Sequence, residues 1–439
     1  MGGYAVSQVL RIGSNLLLAR LLAPEVFGLA AVAAMVALIV ALLSDIGLHQ
    51  AVIQNARGDE PEFLDTAWVM QIIRGMLIWI GCIAVAMAIA YMAAHEWVSA
   101  SSVYAAPQLP MVIIVSSFGV VITGFQSTKY LTSYRQLGLN RITMIELYGQ
   151  IGGTLVGIVL AWLTHSVWAC IAIGLTAAMI VTLLSHVWLP GRENRFRMDR
   201  DSALELLRFG RWLMVSSFFT ILAVNGDRIL LGNWSNSHTF GLYTLAFSLV
   251  AMLDGVGARL HASVGTPILS KIAREDRQGL RAFYLKLRAP FDLFYLCCAG
   301  GIFACGQLIV DVLYDSRYAG AGAMIQILSF SLITARFGIM TSVYVAIGEP
   351  RYVGILNFVR AALLFIAMPL CYWLFGFNGA LWAIALYALP TIPLIFIYNS
   401  RHRLNSFTFE LLVLLAWPVG YWLGHLVLET AARFYGAVL

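Results

Sequence analysis

The sequence predicts an all-α, polytopic membrane helical bundle built as two six-helix lobes with a C-terminal helix added. Three observations predict it. Of 439 residues, 60% are hydrophobic and only 11% charged, with a mean hydropathy of +0.82, which is too little charge to cover a water-soluble globule. The apolar residues gather in stretches of about twenty, the length a helix needs to cross about 30 Å of hydrocarbon. The strict alternation of a barrel strand is absent. Helices follow, because each closes its own backbone hydrogen bonds where no water can.

In chain order the spans fall at 4–22, 26–44, 66–93, 110–126, 142–164, 167–189, 211–232, 240–262, 290–314, 322–347, 352–374 and 378–398, with a thirteenth candidate at 411–428. The first carries Gln8, Arg11 and Asn15, unlike the apolar core of a cleavable signal peptide, and is read as retained. The stretch PGRENRFRMDRDSALELLRFGR, residues 190–211, is the one long charge-dense interruption near the middle. Asp201 and Ser202 are expected to cap a short amphipathic helix, ALELLRF, lying on the inner membrane surface. The Arg residues of this stretch serve as an orientation signal or meet anionic lipid headgroups.

The two halves echo one another. VFGLAAVAAM (26–35) recurs as TFGLYTLAFS (239–248), GLHQAV (47–52) as RLHASV (258–263), and WACIAIGL (168–175) as WAIALYAL (382–389), at offsets of 213, 211 and 214 residues. A duplication of six spans keeps both copies in the same orientation, related by an axis along the membrane normal. The expected organisation is an N-terminal lobe at 1–189, a cytoplasmic basic linker at 190–210, a second lobe at 211–398 and an extra helix within 399–439. A site is expected between the lobes.

The net charge of +6 and pI near 9 do not require a nucleic-acid partner. With the N-terminus cytoplasmic, 19 of the 28 Lys and Arg fall in inner loops, Lys129 and Arg288 among them, while outer loops and the tail hold only Arg317 and Arg433. The positive-inside rule accounts for the balance. Six cysteines lie in apolar spans with no CxxC and no His at ligand spacing, so they read as packing residues, and neither metal nor cofactor is indicated.

Polar residues within the spans locate the candidate site. Tyr4, Gln8, Arg11 and Asn15 recur at helical spacing and share one face, expected to look into a wet interior. Arg20 points elsewhere, where its stem can snorkel. Arg11, Arg74, Arg336 and Arg360 look deep, each at a cost of roughly 2.5–3.5 kcal/mol at a bilayer centre. No comparable acids are expected at that depth: Asp45, Asp65, Glu146, Asp254 and Asp292 fall near inner ends, Asp227 and Asp311 near outer ends. Pairing with carbonyls or carboxylates explains one or two of the arginines; for the set, a hydrated electropositive cavity built for an anion is favoured. Gln8, Asn15, Gln71 and Asn357 complete the candidate substrate-binding residues. Asp227 and Arg228, about 24 Å along the helix from Arg211, point about 100° apart and cannot pair across one face. They join Asp45, Asp254 and Arg259 as candidates for ion coupling or gating.

The motifs SNLLLARLLAPEVFGL (14–29), SDIGLHQAVIQ (44–54) and NGDRILLGNWSNSHTFGLYTLAFSL (225–249) resemble the polysaccharide-transporter branch of the multidrug/oligosaccharidyl-lipid/polysaccharide exporter superfamily, in particular Wzx-type flippases of the colanic-acid-exporter kind. The resemblance covers both halves and is specific for family rather than for substrate. It implies a multi-pass protein of the bacterial inner membrane that turns an undecaprenyl-pyrophosphate-linked oligosaccharide from the cytoplasmic to the periplasmic leaflet, beside a polysaccharide polymerase and chain-length machinery. Guanidinium groups suit a pyrophosphate, which they bind bidentately while staying ionised. Tyr4 and Trp68 either stack on sugars or pack in the core. The short N-terminus and the thirteenth span depart from the family's twelve or fourteen spans, and 411–428 is assigned no transport role.

The expected mechanism is alternating access without catalysis. No GxxxxGK[ST] is present, and an inside-negative potential favours outward anion movement by about 2.3 kcal/mol per charge per 100 mV. The rivals are a membrane glycan polymerase or glycosyltransferase, which would want a larger outer loop than 94–109, and a cation-coupled drug antiporter, which would want deep carboxylates.

Overall fold

The computed structural model describes residues 2–44, 57–136, 138–260 and 280–436, with Gly47, Leu48, Val52, Asn55, Leu269 and Ile272 between these stretches. Among them there are helices and short 3-10 turns and no strand. Nine helices are long and apolar enough to cross a membrane, or ten when one bent pair counts as a single crossing, among the described residues. The chain is a multi-pass membrane protein. It divides into two compact units, Met1–Gly241 and Leu242–Leu439.

The first unit opens with α1 (Gly2–Leu21) and α2 (Pro24–Leu43), whose proline at the first helical position needs no N–H partner. α3 (Pro61–Ala94) packs along α4 (Leu109–Gly124), and α5 (Lys129–Arg135) follows α4 after a 68° bend. The sequence expectation of one straight span at 110–126 therefore gains a short, turned helix beyond its end. α6 (Leu139–Thr164) and α7 (Val167–Val187) form a tight antiparallel pair. Residues 190–199 then run along the start of α3. Arg192 pairs with Asp65 at 3.3 Å, Arg197 with Glu62 at 2.9 Å, and the Asp199 N–H donates to Thr66 Oγ1 at 2.9 Å.

α8 (Arg200–Trp234) corrects two expectations. It is one continuous helix, so ALELLRF is its first turns and not a separate surface helix. Ala203 and Leu206 are buried against Leu48, Phe63, Ala67, Met70 and Leu131, a protein core in place of lipid. Its N-cap is Asp199, whose carboxylate accepts from the Ser202 N–H at 2.8 Å, not Asp201 or Ser202. α8 packs on α2 and α3, and the unit boundary falls later, inside α9 (Ser237–Leu260).

In the second unit α10 (Leu280–Leu313) is a long helix with Pro290 inside it. The span expected at 322–347 is broken into α11 (Ala321–Leu328), α12 (Ser331–Ala335), a 3-10 turn at Arg336–Gly338 and α13 (Ile339–Ala346). α14 (Pro350–Leu386) holds two expected spans, separated where Gly376 takes φ 64° and ψ −152°. α15 (Ile392–Arg401) completes the second of them. α16 (Phe407–Leu414) and α17 (Ala416–Gly436) make up the C-terminal crossing. α17 lies along α10 so closely that a methyl at Gly420 would collide with the Cys297 carbonyl, and the Cys305 thiol donates to the Gly424 carbonyl at 3.0 Å.

Candidate functional site

The polar chamber of the first unit is built on one face of α3. Gln71 and Arg74 lie one turn apart and reach the ends of two neighbouring helices, where the last carbonyls lack intrahelical donors. Gln71 Nε2 donates to the carbonyls of Thr123 (3.0 Å), Gly124 (3.2 Å) and Gln126 (3.3 Å) at the end of α4. Arg74 donates from Nε to the Ser44 carbonyl and from Nη2 to the Ala41 carbonyl, both at 2.9 Å, at the end of α2. A cation there also complements the negative ends of the helix dipoles. Between these contacts lies a cavity of about 210 Å³ lined by Leu48, Gln71, Arg74, Thr123, Gln126 and Tyr130. The Tyr130 hydroxyl donates to Glu146 Oε1 at 2.5 Å. Leu48, Ile78, Val120 and Leu131 make up the apolar part of the wall, so Arg74 is the charged side chain that borders this space.

The second unit holds the opposite arrangement. Arg336 is 4% exposed; its Nη1 lies 3.3 Å from Asp292 Oδ2 and its Nη2 3.0 Å from Glu410 Oε2. Arg288, at 2% exposure, places Nε 2.7 Å from Asp292 Oδ2 and grips both oxygens of Glu410 with Nη1 and Nη2. The Phe337 ring packs against both guanidiniums, 4.8 Å and 4.4 Å from their central carbons. Two cations and two anions thus cancel in a closed core. This corrects two expectations: acids do sit at the depth of Arg336, and Arg288 is a buried residue of α10 and no loop cation; Glu410, just ahead of 411–428, supplies the second acid. Arg336 therefore meets its counter-charges within this core.

The remaining candidates lie on separate helices of the two units. Arg11 is exposed on α1, while Gln8 and Asn15 are half-buried. Their helix is tied to α6 by Ser7 Oγ, which donates to Gln150 Oε1 at 2.6 Å. Arg360 is half-buried with its Nε enclosed and without a hydrogen-bond partner among the described residues, and Asn357 is exposed. Asp254 accepts from the Tyr295 hydroxyl at 3.0 Å. Asp227 is buried at 5% and Arg228 half-buried, each with interacting neighbours. Asp45 and the side chains of Arg259 and Tyr4 lie outside the described residues. Trp68 belongs to the core, its Nε1 donating to the Phe125 carbonyl at 3.3 Å and its ring 4.6 Å from that of Phe196. All six cysteines are free thiols, and among the described residues no cluster fit for a metal occurs.

Sequence reasoning overlooked Thr123, Gln126 and Tyr130 as chamber walls. Their signal was present in the bend after α4, where a polar run, QSTKY, ends an apolar helix.

The first unit thus sets a bent crossing, α4 with α5, beside a small chamber in a bundle of membrane-length helices. The inward-facing form of a multidrug resistance MATE family transporter of the MOP superfamily superposes with a TM-score of 0.65 at 16% identity, covering 97% of this chain and 96% of the other. The lipid II flippase MurJ, in its inward closed conformation, gives 0.65 at 14% identity over 99% and 98%. These likenesses show the fold. The family follows from sequence: a family model described as polysaccharide biosynthesis protein matches residues 17–323, and the chain belongs to that family. The lipopolysaccharide biosynthesis protein WzxC of Escherichia coli K12 is 23% identical over 334 residues, 74% of this chain and 64% of its own. The succinoglycan biosynthesis transport protein ExoT of Rhizobium meliloti is 20% identical over 316 residues, 72% and 61% respectively. The chain thus spans a little under two thirds of these relatives' lengths.

Proposed function

We propose that this protein is a flippase, without catalytic activity of its own, that moves an undecaprenyl-pyrophosphate-linked oligosaccharide from the cytoplasmic to the periplasmic leaflet of a bacterial inner membrane for polysaccharide synthesis. The observation that carries the reading is Arg74 on the wall of a cavity inside the membrane-crossing part of a polysaccharide biosynthesis family member. A guanidinium keeps its charge there and matches the planar oxygen pairs of a pyrophosphate. Gln71 and Tyr130 share that wall, their donors held by the carbonyls at the end of α4 and by Glu146. Arg360, with an enclosed and unsatisfied Nε, is the corresponding candidate of the second unit, and Arg11, Gln8, Asn15 and Asn357 are candidates along the route. The two halves work by alternating access, with the N-terminus inside and the membrane potential or an ion at Asp45, Asp227 or Asp254 supplying the drive.

The test is complementation in a host whose own flippase is deleted. Arg74→Ala and Arg360→Ala together are expected to abolish surface polysaccharide and to leave lipid-linked oligosaccharide in the inner leaflet, with protein level unchanged. Full export by the double variant would reject the assignment.

A further inference from the structure

The end of the second unit where α14 begins and α15 ends carries a cluster of arginines. Leu280, Tyr352, Tyr398 and Leu404 are buried in one hydrophobic core, so the residues beside them in the chain gather at its edge. Arg281 Nη2 donates to the Asn405 carbonyl at 2.8 Å, which ties α10 to the loop 402–406. The Arg351 guanidinium lies 5.5 Å from the Tyr352 ring and that of Arg401 5.9 Å from the Tyr398 ring, and these two rings stack at 4.1 Å. Arg403 adjoins buried Leu404 in the same loop. All four arginines are exposed.

The acids of this region are already engaged. Glu349 pairs with Arg351 at 2.6 Å, and Asp292 and Glu410 are enclosed with Arg288 and Arg336. Arg281, Arg401 and Arg403 have no carboxylate within ion-pair distance among the described residues. The sequence KIAREDR, 271–277, holds three cations and two acids and does not reverse the sign. The level of the cluster in the bilayer follows from its neighbours: Ile397 on α15 and Phe407 and Leu411 on α16 are 51%, 72% and 69% exposed, and on membrane-crossing helices such side chains face hydrocarbon. The polar run RHRLNS, 401–406, lies between them, which sets its guanidiniums at the headgroup level. An orientation signal needs only basic residues on one side of the membrane; it does not need segments so far apart in the chain to gather round one loop. A phosphodiester, by contrast, is met by several guanidiniums at once.

We propose that Arg281, Arg401 and Arg403 form a binding site for the headgroup of an anionic phospholipid of the adjoining leaflet. It rests on the membrane assignment and not on the flippase reading.

The purified, full-length protein is exchanged into mixed micelles holding equal amounts of phosphatidylglycerol and phosphatidylcholine, and the retained lipids are counted by native mass spectrometry. Wild type is expected to keep phosphatidylglycerol in preference. The triple variant Arg281→Gln, Arg401→Gln, Arg403→Gln is expected to lower that preference by about tenfold or more. Arg401→Gln with Arg403→Gln leaves the Arg281–Asn405 hydrogen bond in place and is expected to lose most of the preference, so the test stands even where the triple variant fails to fold. Arg433→Gln, exposed at the other end of the C-terminal crossing, is expected to bind as wild type does. No preference in wild type, an unchanged preference in the double variant, or an equal loss in Arg433→Gln overturns the site. Displacement of phosphatidylglycerol by an equal amount of farnesyl pyrophosphate also overturns it, by handing the arginines to a pyrophosphate lipid.

Discussion

Two arginines placed at similar depth by the sequence have opposite surroundings. Arg74 spends its donors on the carbonyl ends of α2 and borders a cavity, whereas Arg336 is enclosed with Arg288, Asp292 and Glu410 and borders none among those described. The first arrangement leaves a fixed positive wall that a ligand can meet. The second has its counter-charges built in, and a ligand would have to displace them. Depth alone therefore does not mark a ligand-binding arginine; the chemistry of the partner does.

The sharpest way to break the comparison is to remove Glu410. Glu410→Ala leaves two buried cations facing one acid, and truncating one partner of such a network costs about 3–5 kcal/mol. The expected outcome is loss of folded protein in fluorescence-detected size exclusion. The double variant Arg336→Met with Glu410→Met keeps the Arg288–Asp292 pair and is expected to be more stable than either single change. Equal stability of Glu410→Ala and wild type would dissolve the distinction.

Arg74→Ala should act on export and spare the fold. Surface polysaccharide is expected to fall by about tenfold or more, with a drop in melting temperature in detergent much smaller than that of Glu410→Ala. Arg336→Ala is expected to show the reverse pattern, reduced protein level with activity per folded molecule retained. A smaller effect is expected at Gly420. Gly420→Ala forces α17 away from α10 and should cost about 1–3 kcal/mol, read as a lower melting temperature with export preserved at low growth temperature.

The smallest effect is expected at the α8 cap. Hydrogen bonding from Ser202 holds the Asp199 carboxyl below its ordinary pKa. Its contribution is present above the unfolded-state value and disappears as pH falls through the lower folded-state value. The melting-temperature gap between wild type and Asp199→Ala should therefore be seen at about pH 7 and close as the pH falls below the ordinary carboxylate range.

Much of the fold was legible because the apolar period and the length of each stretch fix a crossing without reference to its neighbours. α2, α6 and α7 lie within a few residues of their expected bounds. What one sequence does not carry is azimuth and partner. The distance from Arg336 to a helix end can be counted along the chain, but Asp292 and Glu410 meet it through the break at Arg336–Gly338 and the packing of α16 and α17, which no local spacing encodes. ALELLRF reads as a surface helix because its apolar stripe faces one way; the protein core and a lipid surface demand the same stripe. Arg288 and Lys129 count as loop cations because each lies between expected spans, a position that says which side of the membrane they occupy and nothing about their burial.

The position of Glu410 in the chain bears on biogenesis. Arg288 precedes it by 122 residues. During synthesis both arginines therefore emerge with Asp292 before Glu410 does, and the four-group network closes only once the helix carrying Glu410 has left the ribosome. Maturation of this half is accordingly a late, post-insertion event, and a nascent chain arrested before residue 410 should stay in the hands of insertases or quality-control proteases.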